Sequence, residues 1–238
     1  MSSFANVNLD DPRQDVHKSR LVRPTLNRFR VAERLASQFK LGGQVLEIGG
    51  GAGEFSQRLR DLGFAVTFVD LSPSNVARAE QLGFPAHQID LNHGLPGIPD
   101  ASYNGVVMLE IIEHVVAAEN LLSEVYRVLR PGGYLILSTP NFAYWINRLQ
   151  ILAGRLSHDE GYHFRFFTPS ILESRLRKAG LRIVKTHHTT PALGLNLVRR
   201  LAGHSQRIHL RVPRLIAPLL AHTLVVCAQK PESEIHKP

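Results

Sequence analysis

The order of apolar and polar segments predicts an α/β fold built on a mostly parallel sheet. Three observations carry that prediction. Short apolar, β-branched runs alternate with amphipathic stretches of helical spacing between residues 44 and 138. The first run passes directly into a glycine-rich turn and then a helix. Four successive runs bring acidic residues to one edge, where sheets of this kind place their ligands.

Residues 1–23 read as a polar lead-in. Residues 24–40 carry Leu26, Phe29, Val31, Leu35 and Phe39 at near-helical spacing, and Gly42-Gly43 ends that helix. It is expected either to pack on the sheet or to cover the ligand cleft. Strand 1 spans 44–48 and leads through the turn to a helix at 54–62. Strand 2 spans 65–69 and ends at Asp70. Ser72 is expected to cap the following helix, with Pro73 in its first turn and Gly83 stopping it. Strand 3 spans 85–89 and ends at Asp90-Leu91. Strand 4 spans 103–109 and ends at Glu110, with Glu113-His114 just beyond. An amphipathic helix over 116–129 stops at Pro131-Gly132-Gly133, and strand 5 spans 134–138. A helix is expected over 142–156, then a stretch rich in His, acidic and aromatic residues up to 167. Thr168 and Pro169 open a further helix that ends at Gly180.

With 238 residues, of which 44% are apolar, one domain with a full core is expected over 24–230, followed by a tail at 231–238. The single cysteine, Cys227, excludes an internal disulfide and a cysteine-rich zinc site, and fits a reducing cytoplasm. The first 20 residues contain no apolar core of a signal peptide. The longest apolar run, 215–228, has 14 residues including Pro218 and His222, too few to span a bilayer. The expected location is cytoplasmic, with peripheral membrane contact left open.

The net charge of +8 is unevenly spread. No acidic residue lies between Glu173 and Glu232, and residues 174–231 hold 11 Lys and Arg, so the rest of the chain is net negative. The densest part, 191–220, reads as a basic insertion. Its Arg199, Arg200, Arg207, Arg211 and Arg214 lie among Leu, Val and Ile. Residues 195–220 suit a membrane surface or a lipid-like substrate, or else a plain cover on the sheet edge. No aromatic residue stands between Gly194 and Leu220 to stack on bases, so nucleic acid is not the expected partner.

The turn itself narrows the ligand. Glycine allows positive φ and close approach to the backbone, and the next helix offers unpaired N–H groups. The spacing is Gly49-x-Gly51-x-Gly53. A pyrophosphate-binding G-x-G-x-x-G would need its third glycine at Glu54 or Ser56, so a dinucleotide is disfavoured. Glu47 and Glu54 would repel a pyrophosphate and suit a ligand with a cationic end. This arrangement resembles motif I of the class I S-adenosylmethionine-dependent methyltransferases, whose cofactor carries a sulfonium and an ammonium.

The resemblance extends over about residues 40–190. Residues 66–79 (V-T-F-V-D-L-S-P-S-N-V-A-R-A) resemble motif II, with Asp70 in the ribose-binding place, 17 residues beyond Gly53. Gln88-Ile89-Asp90-Leu91 resembles the adenine-side motif. Leu109-Glu110-Ile111-Ile112-Glu113-His114-Val115, followed by Val128-Leu129-Arg130-Pro131-Gly132-Gly133, is similar to the small-molecule methyltransferases typified by the ubiquinone-biosynthesis O-methyltransferases. This implies a Rossmann-like, seven-stranded, mostly parallel sheet with a C-terminal antiparallel hairpin, which 182–187 and 222–229 fit. It implies S-adenosylmethionine as cofactor, held by Glu47, Gly49, Gly51, Gly53, Asp70, Leu71, Asp90, Leu91 and Glu110. It gives residues 141–168 a substrate-side role. Segments 90–96 and 140–148 are also similar to MetW-type methionine-biosynthesis proteins, which leaves open a cofactor-binding regulatory partner without turnover. An RNA methyltransferase is a further alternative, against which stands the lack of an N-P-P-Y-type motif after strand 4.

Methyl transfer is an in-line displacement at an activated carbon, so positioning supplies much of the acceleration. A base is needed only where the acceptor is a hydroxyl of high pKa. His114 is the first candidate to act as that base or to orient the acceptor, and His163 is the second. Each also has an ordinary reading, as a helix cap or a carbonyl-bonded histidine. Glu110 and Glu113 would line the cofactor side or orient His114. No metal is expected; the alternative is a cation held by His158, Asp159, Glu160 and His163, which lie within six residues. Tyr144, Trp145, Tyr162, Phe164, Phe166 and Phe167 either line an apolar acceptor pocket or belong to the core. The expected substrate is a small molecule, lipid-like or aromatic, methylated on a hydroxyl oxygen.

Overall fold

The computed structural model describes residues 24–39, 41–154, 163–189 and 217–232. The lead-in, all but the end of the basic insertion, and His158, Asp159, Glu160 and Tyr162 lie outside the described residues. Seven strands form one sheet: β1 Gln44–Ile48, β2 Ala65–Asp70, β3 Ala86–Gln88, β4 Tyr103–Leu109, β5 Leu129–Pro140, β6 Arg182–Thr189 and β7 Thr223–Gln229. Their order is β3-β2-β1-β4-β5-β7-β6. The first five pair in parallel, and β7 runs antiparallel between β5 and β6. The expected strand count and the C-terminal antiparallel pair are both present. The order reverses between β1 and β4, and the crevice beyond their carboxyl ends is where doubly wound sheets bind ligands.

The longer helices among the described residues are α1 Pro24–Gln38, α2 Glu54–Asp61, α3 Pro73–Gln81, α4 Ala118–Val128, α5 Trp145–Leu152 and α6 Pro169–Lys178, and a short one, α7, spans Ala217–Leu220. Side chains alternate across each strand, and this alternation sorts the apolar residues into two cores. Leu46, Ile48, Val106, Met108, Leu135 and Leu137 pack with Leu121, Leu122 and Val125 of α4 and Leu172 and Leu176 of α6. Val45, Val107, Ile136, Val225 and Cys227 point the other way, to Phe29, Ala32 and Leu35 of α1 and Phe55 and Leu59 of α2. Of the two placements expected for α1, packing on the sheet is the one adopted.

Several boundaries depart from expectation, those of strand 5 and α5 for a local reason. Strand 5 begins at Leu129, which pairs with Tyr103, and runs on to Thr139 and Pro140, which pair with Leu224 and Thr223. Helix α5 starts late, because Asn141 Oδ1 accepts the Ala143 amide at 3.0 Å and holds the chain in a turn. Ser72 occupies the cap position of α3, yet its hydroxyl pairs with Ser74 at 2.8 Å. Its own amide instead donates to Asp70 Oδ1 at 2.9 Å. Thr168 does cap α6, accepting the Ile171 amide at 3.3 Å. Among the described residues, no helix is long and apolar enough to cross a membrane.

Candidate functional site

The glycine turn leaves β1 at the point where the strand order reverses. Gly49 donates its amide to Val69 O at 2.7 Å, which ties the turn to β2. At Gly49, with φ 71°, an added Cβ would lie 2.1 Å from Ile111 Cδ1. At Gly51, with φ 54°, an added Cβ would meet nothing within 4 Å, so this side of the turn is open. A methyl group therefore has opposite consequences at the two positions. Gly49→Ala combines overpacking with a left-handed backbone and is expected to cost about 3 kcal/mol in urea unfolding. Full stability in that variant would show that the turn is not held against Ile111.

Asp70 closes the turn from the side. Its Oδ2 accepts the Gly51 amide at 3.0 Å, and its Oδ1 accepts from the Ser72 amide and from Asn75 Nδ2 at 3.1 Å. The half-exposed Leu71 follows it. One strand further out, Asp90 Oδ1 accepts the Asn92 amide at 2.9 Å, opening a short 3-10 turn over Leu91–His93. Leu91 packs partly buried against the core there.

Glu47 lies elsewhere. The alternation of β1 puts it on the same side as Val45, toward α2, where it is 4% exposed and accepts a hydrogen bond from Ser56 Oγ. It underlies the turn rather than facing its open side. Burial pushes its carboxyl up to about 7, with the nearby Asp70 adding to the rise and Ser56 opposing it. The folded state therefore favours the neutral acid. Its contribution to stability is complete below about pH 4.5 and is lost as pH rises through about 7. Glu47→Gln has no such ionisation. Between pH 5 and 8 the parent is expected to lose about 3 kcal/mol more than this variant in urea unfolding. Parallel losses in the two proteins would overturn the assignment.

The end of β4 gathers the remaining groups. Glu110 has φ 59°, a left-handed backbone that a residue with a side chain rarely adopts. Its Oε1 accepts from Ser138 Oγ at 2.8 Å. Three residues on, Glu113 is buried, and its Oε2 accepts from Thr139 Oγ1 at 3.0 Å. Ser138 and Thr139 are neighbours on β5 and point to opposite faces, so each receives one of the two carboxylates. Burial raises the pKa of both. Glu113 is pushed up to about 8, with the charge of Glu110 adding to the rise, while the Arg28 guanidinium opposes it at both acids.

The segment after the undescribed loop returns to this point. The Glu113 carbonyl accepts the amides of Phe164 and Arg165 at 2.9 and 3.1 Å. Arg165 in turn donates through Nη2 to Val116 O at 2.6 Å. These bonds set the His163 ring beside the exposed ring of His114, with 4.7 Å between centroids. The two histidines singled out in the sequence, 49 positions apart, thus share one site. Of the aromatic group, Tyr144 and Phe167 are buried as core, whereas Phe164 and Phe166 remain exposed. Arg28, Ser138 and Thr139 carried no signal that sequence reasoning had used.

Comparison with known proteins gives this geometry its family. A family described as a methyltransferase domain matches residues 20–186. The chain belongs to that methyltransferase family. A "probable S-adenosylmethionine-dependent methyltransferase" of Mycolicibacterium smegmatis is 34% identical over 160 residues, covering 66% of this chain and 58% of the relative. The chain thus spans little more than half of that relative's length. A ubiquinone biosynthesis O-methyltransferase of Xanthomonas oryzae pv. oryzae is 28% identical over 185 residues, covering 73% of this chain and 74% of the relative. Among solved structures, a SAM-dependent methyltransferase from Archaeoglobus fulgidus superposes with TM-score 0.63 at 21% identity, covering 87% of this chain and 94% of its own. The 1,6-didemethyltoxoflavin-N1-methyltransferase of Burkholderia thailandensis gives TM-score 0.57 at 21% identity, covering 86% and 79%. At that identity the likeness shows the fold.

S-adenosylmethionine is the cofactor of this methyltransferase, and the residues present fit it. The turn is open at Gly51, a carboxylate borders it at Asp70, and apolar Leu71 and Leu91 flank the adjoining edge. The acidic surroundings suit a cationic sulfur.

Proposed function

We propose that the protein methylates a hydroxyl oxygen of a small molecule in the cytoplasm. The observation that carries this reading is the cluster beyond β4, where Glu113, His114 and His163 meet and the charge of Glu110 acts on them. A hydroxyl acceptor needs a group that takes its proton, whereas a softer nucleophile does not. The ubiquinone-biosynthesis relatives, named as O-methyltransferases, support the same reading.

In this reading Gly49, Gly51 and Gly53 bring the backbone close to the cofactor. Asp70 accepts from its ribose hydroxyls, Asp90 and Leu91 border its base, and Glu110 faces its cationic end. Bound there, the cofactor supplies a methyl carbon already activated by positive sulfur. His114, exposed beside His163, orients the acceptor oxygen and draws off its proton. Phe164 and Phe166 offer an apolar or aromatic acceptor a surface next to these rings.

Incubating the protein with cell extract and methyl-labelled cofactor, then separating products by mass spectrometry, tests the reading. A labelled O-methyl ether is the expected outcome. Label on nitrogen or RNA would replace the acceptor class. No labelled product, together with a co-purifying enzyme, would favour the regulatory alternative.

A further inference from the structure

We propose that the groove between α4 and α6 is the distal half of the acceptor site, and that it selects a small molecule carrying an anionic group, a carboxylate or a phosphate, on an apolar body. The proposal rests on the small-molecule reading above and narrows its acceptor class. The groove has a volume of about 250 Å³ and is walled by Leu122, Phe164, Phe166 and Ile171. Phe164, Phe166 and Ile171 are large apolar side chains left exposed, and they stand together. Grouped apolar exposure marks a binding surface, where scattered single residues do not. The volume falls below the about 300–1,000 Å³ of pockets for drug-sized ligands, so it suits one ring or a short chain.

Charge decides which ring or chain fits. Arg165 Nη2 lies 3.3 Å from Glu119 Oε2, and Arg175 Nη1 lies 2.8 Å from Glu119 Oε1. All three residues line the groove, and among the described residues no other acidic side chain does. Two guanidiniums thus share one carboxylate, each of whose oxygens is already engaged. A cationic guest would find no unengaged carboxylate there, whereas an anion balances the surplus positive charge. Apolar walls concentrate the field of that charge. The planar fork of a guanidinium also matches the oxygens of a carboxylate or phosphate. Arg165 is held in place before any ligand arrives. Its amide donates to the Glu113 carbonyl at 3.1 Å, and its Nη2 donates to Val116 O at 2.6 Å. Little ordering is therefore left for the ligand to impose.

The groove adjoins the proposed chemistry. Arg165, Phe166 and Phe167 line both the groove and the small cavity bordered by Glu113 and His163. His163 and Phe164 are consecutive residues. An acceptor whose hydroxyl meets the His114–His163 pair has only to extend past this segment for its anionic end to meet Arg165 and Arg175. Recognition then has two points, the hydroxyl at the histidines and the anion at the arginines.

The full chain, saturated with S-adenosylhomocysteine, is titrated with 3-phenylpropionate, with phenyl phosphate and with the neutral 3-phenylpropionamide. At least one anion should bind at least about tenfold more tightly than the amide, and the tighter of the two names the group. Arg175→Gln should weaken that anion at least about tenfold while affinities for the amide and for S-adenosylhomocysteine stay within about twofold. Arg175→Lys keeps the charge without the fork and should restore part of the loss. Ile171→Glu sets a second carboxylate on the wall and should abolish anion binding; it carries the test if Arg175→Gln fails to fold. Anions that bind no better than the amide, or that bind the variants as they bind the parent, overturn the proposal. In the incubation with labelled cofactor, the methylated product should be retained on an anion exchanger, and Arg175→Gln should raise its acceptor's KM with little change in kcat. A neutral or cationic methylated product overturns the proposal and leaves small-molecule methylation standing. Anion binding lost in the variants, in a protein that labels no small molecule, upholds the anion site and overturns its role in acceptor selection.

Discussion

Asp70→Ala is expected to weaken S-adenosylhomocysteine binding about 100-fold in a calorimetric titration. Two effects add in that figure. The carboxylate is placed to accept from a ribose diol, and charged hydrogen bonds of that kind are each worth about 1.5–3 kcal/mol. It also accepts the Gly51 amide at 3.0 Å, so its removal unties the turn on which the cofactor rests. Asp70→Asn separates the two. Its remaining carbonyl oxygen can keep one of the backbone bonds, so folding should survive while affinity drops by a smaller factor. Unchanged affinity in the alanine variant would move the ribose away from β2.

His114→Ala is expected to lower turnover by about 10²–10⁴-fold with cofactor affinity unchanged. The ring is exposed beside His163. Its loss should therefore appear in kcat and not in the affinity for S-adenosylhomocysteine. Full turnover would make the ring a packing group of the turn that leads into α4.

The parts of this site written in consecutive residues were legible before any coordinates. Gly49–Gly51–Gly53 followed by Asp70 marks a turn beside a strand end, because the strand-end rule and glycine's backbone freedom act locally. The same holds for the capping Thr168, whereas the paired C-terminal strands follow only from the family resemblance. Glu47 is read beside the turn from its charge and from the motif I resemblance; the period of two along β1 further places its carboxyl on Ser56, a partner the sequence does not announce. Arg28 gave no signal, since its place beside Glu110 and Glu113 depends on how α1 lies across the sheet. His163 was first grouped with His158, Asp159 and Glu160 because they are close in sequence. Two backbone hydrogen bonds, which no side-chain pattern announces, bring it to Glu113 and His114.

The place of β7 bears on how the protein is made. Thr139 and Pro140 are paired with Leu224 and Thr223, and Asn141 donates its amide to His222 O at 2.8 Å. During synthesis these partners leave the ribosome only after β5 and β6. Until then β5 is an open, apolar sheet edge, and β6 cannot take its final position because β7 lies between them. Such late, long-range pairing slows folding and leaves a template for aggregation. Chains released a few residues short of Thr223 should precipitate rather than survive as a smaller enzyme. The seven-residue strand β7 is in this sense the step that commits the nascent sheet to its native order.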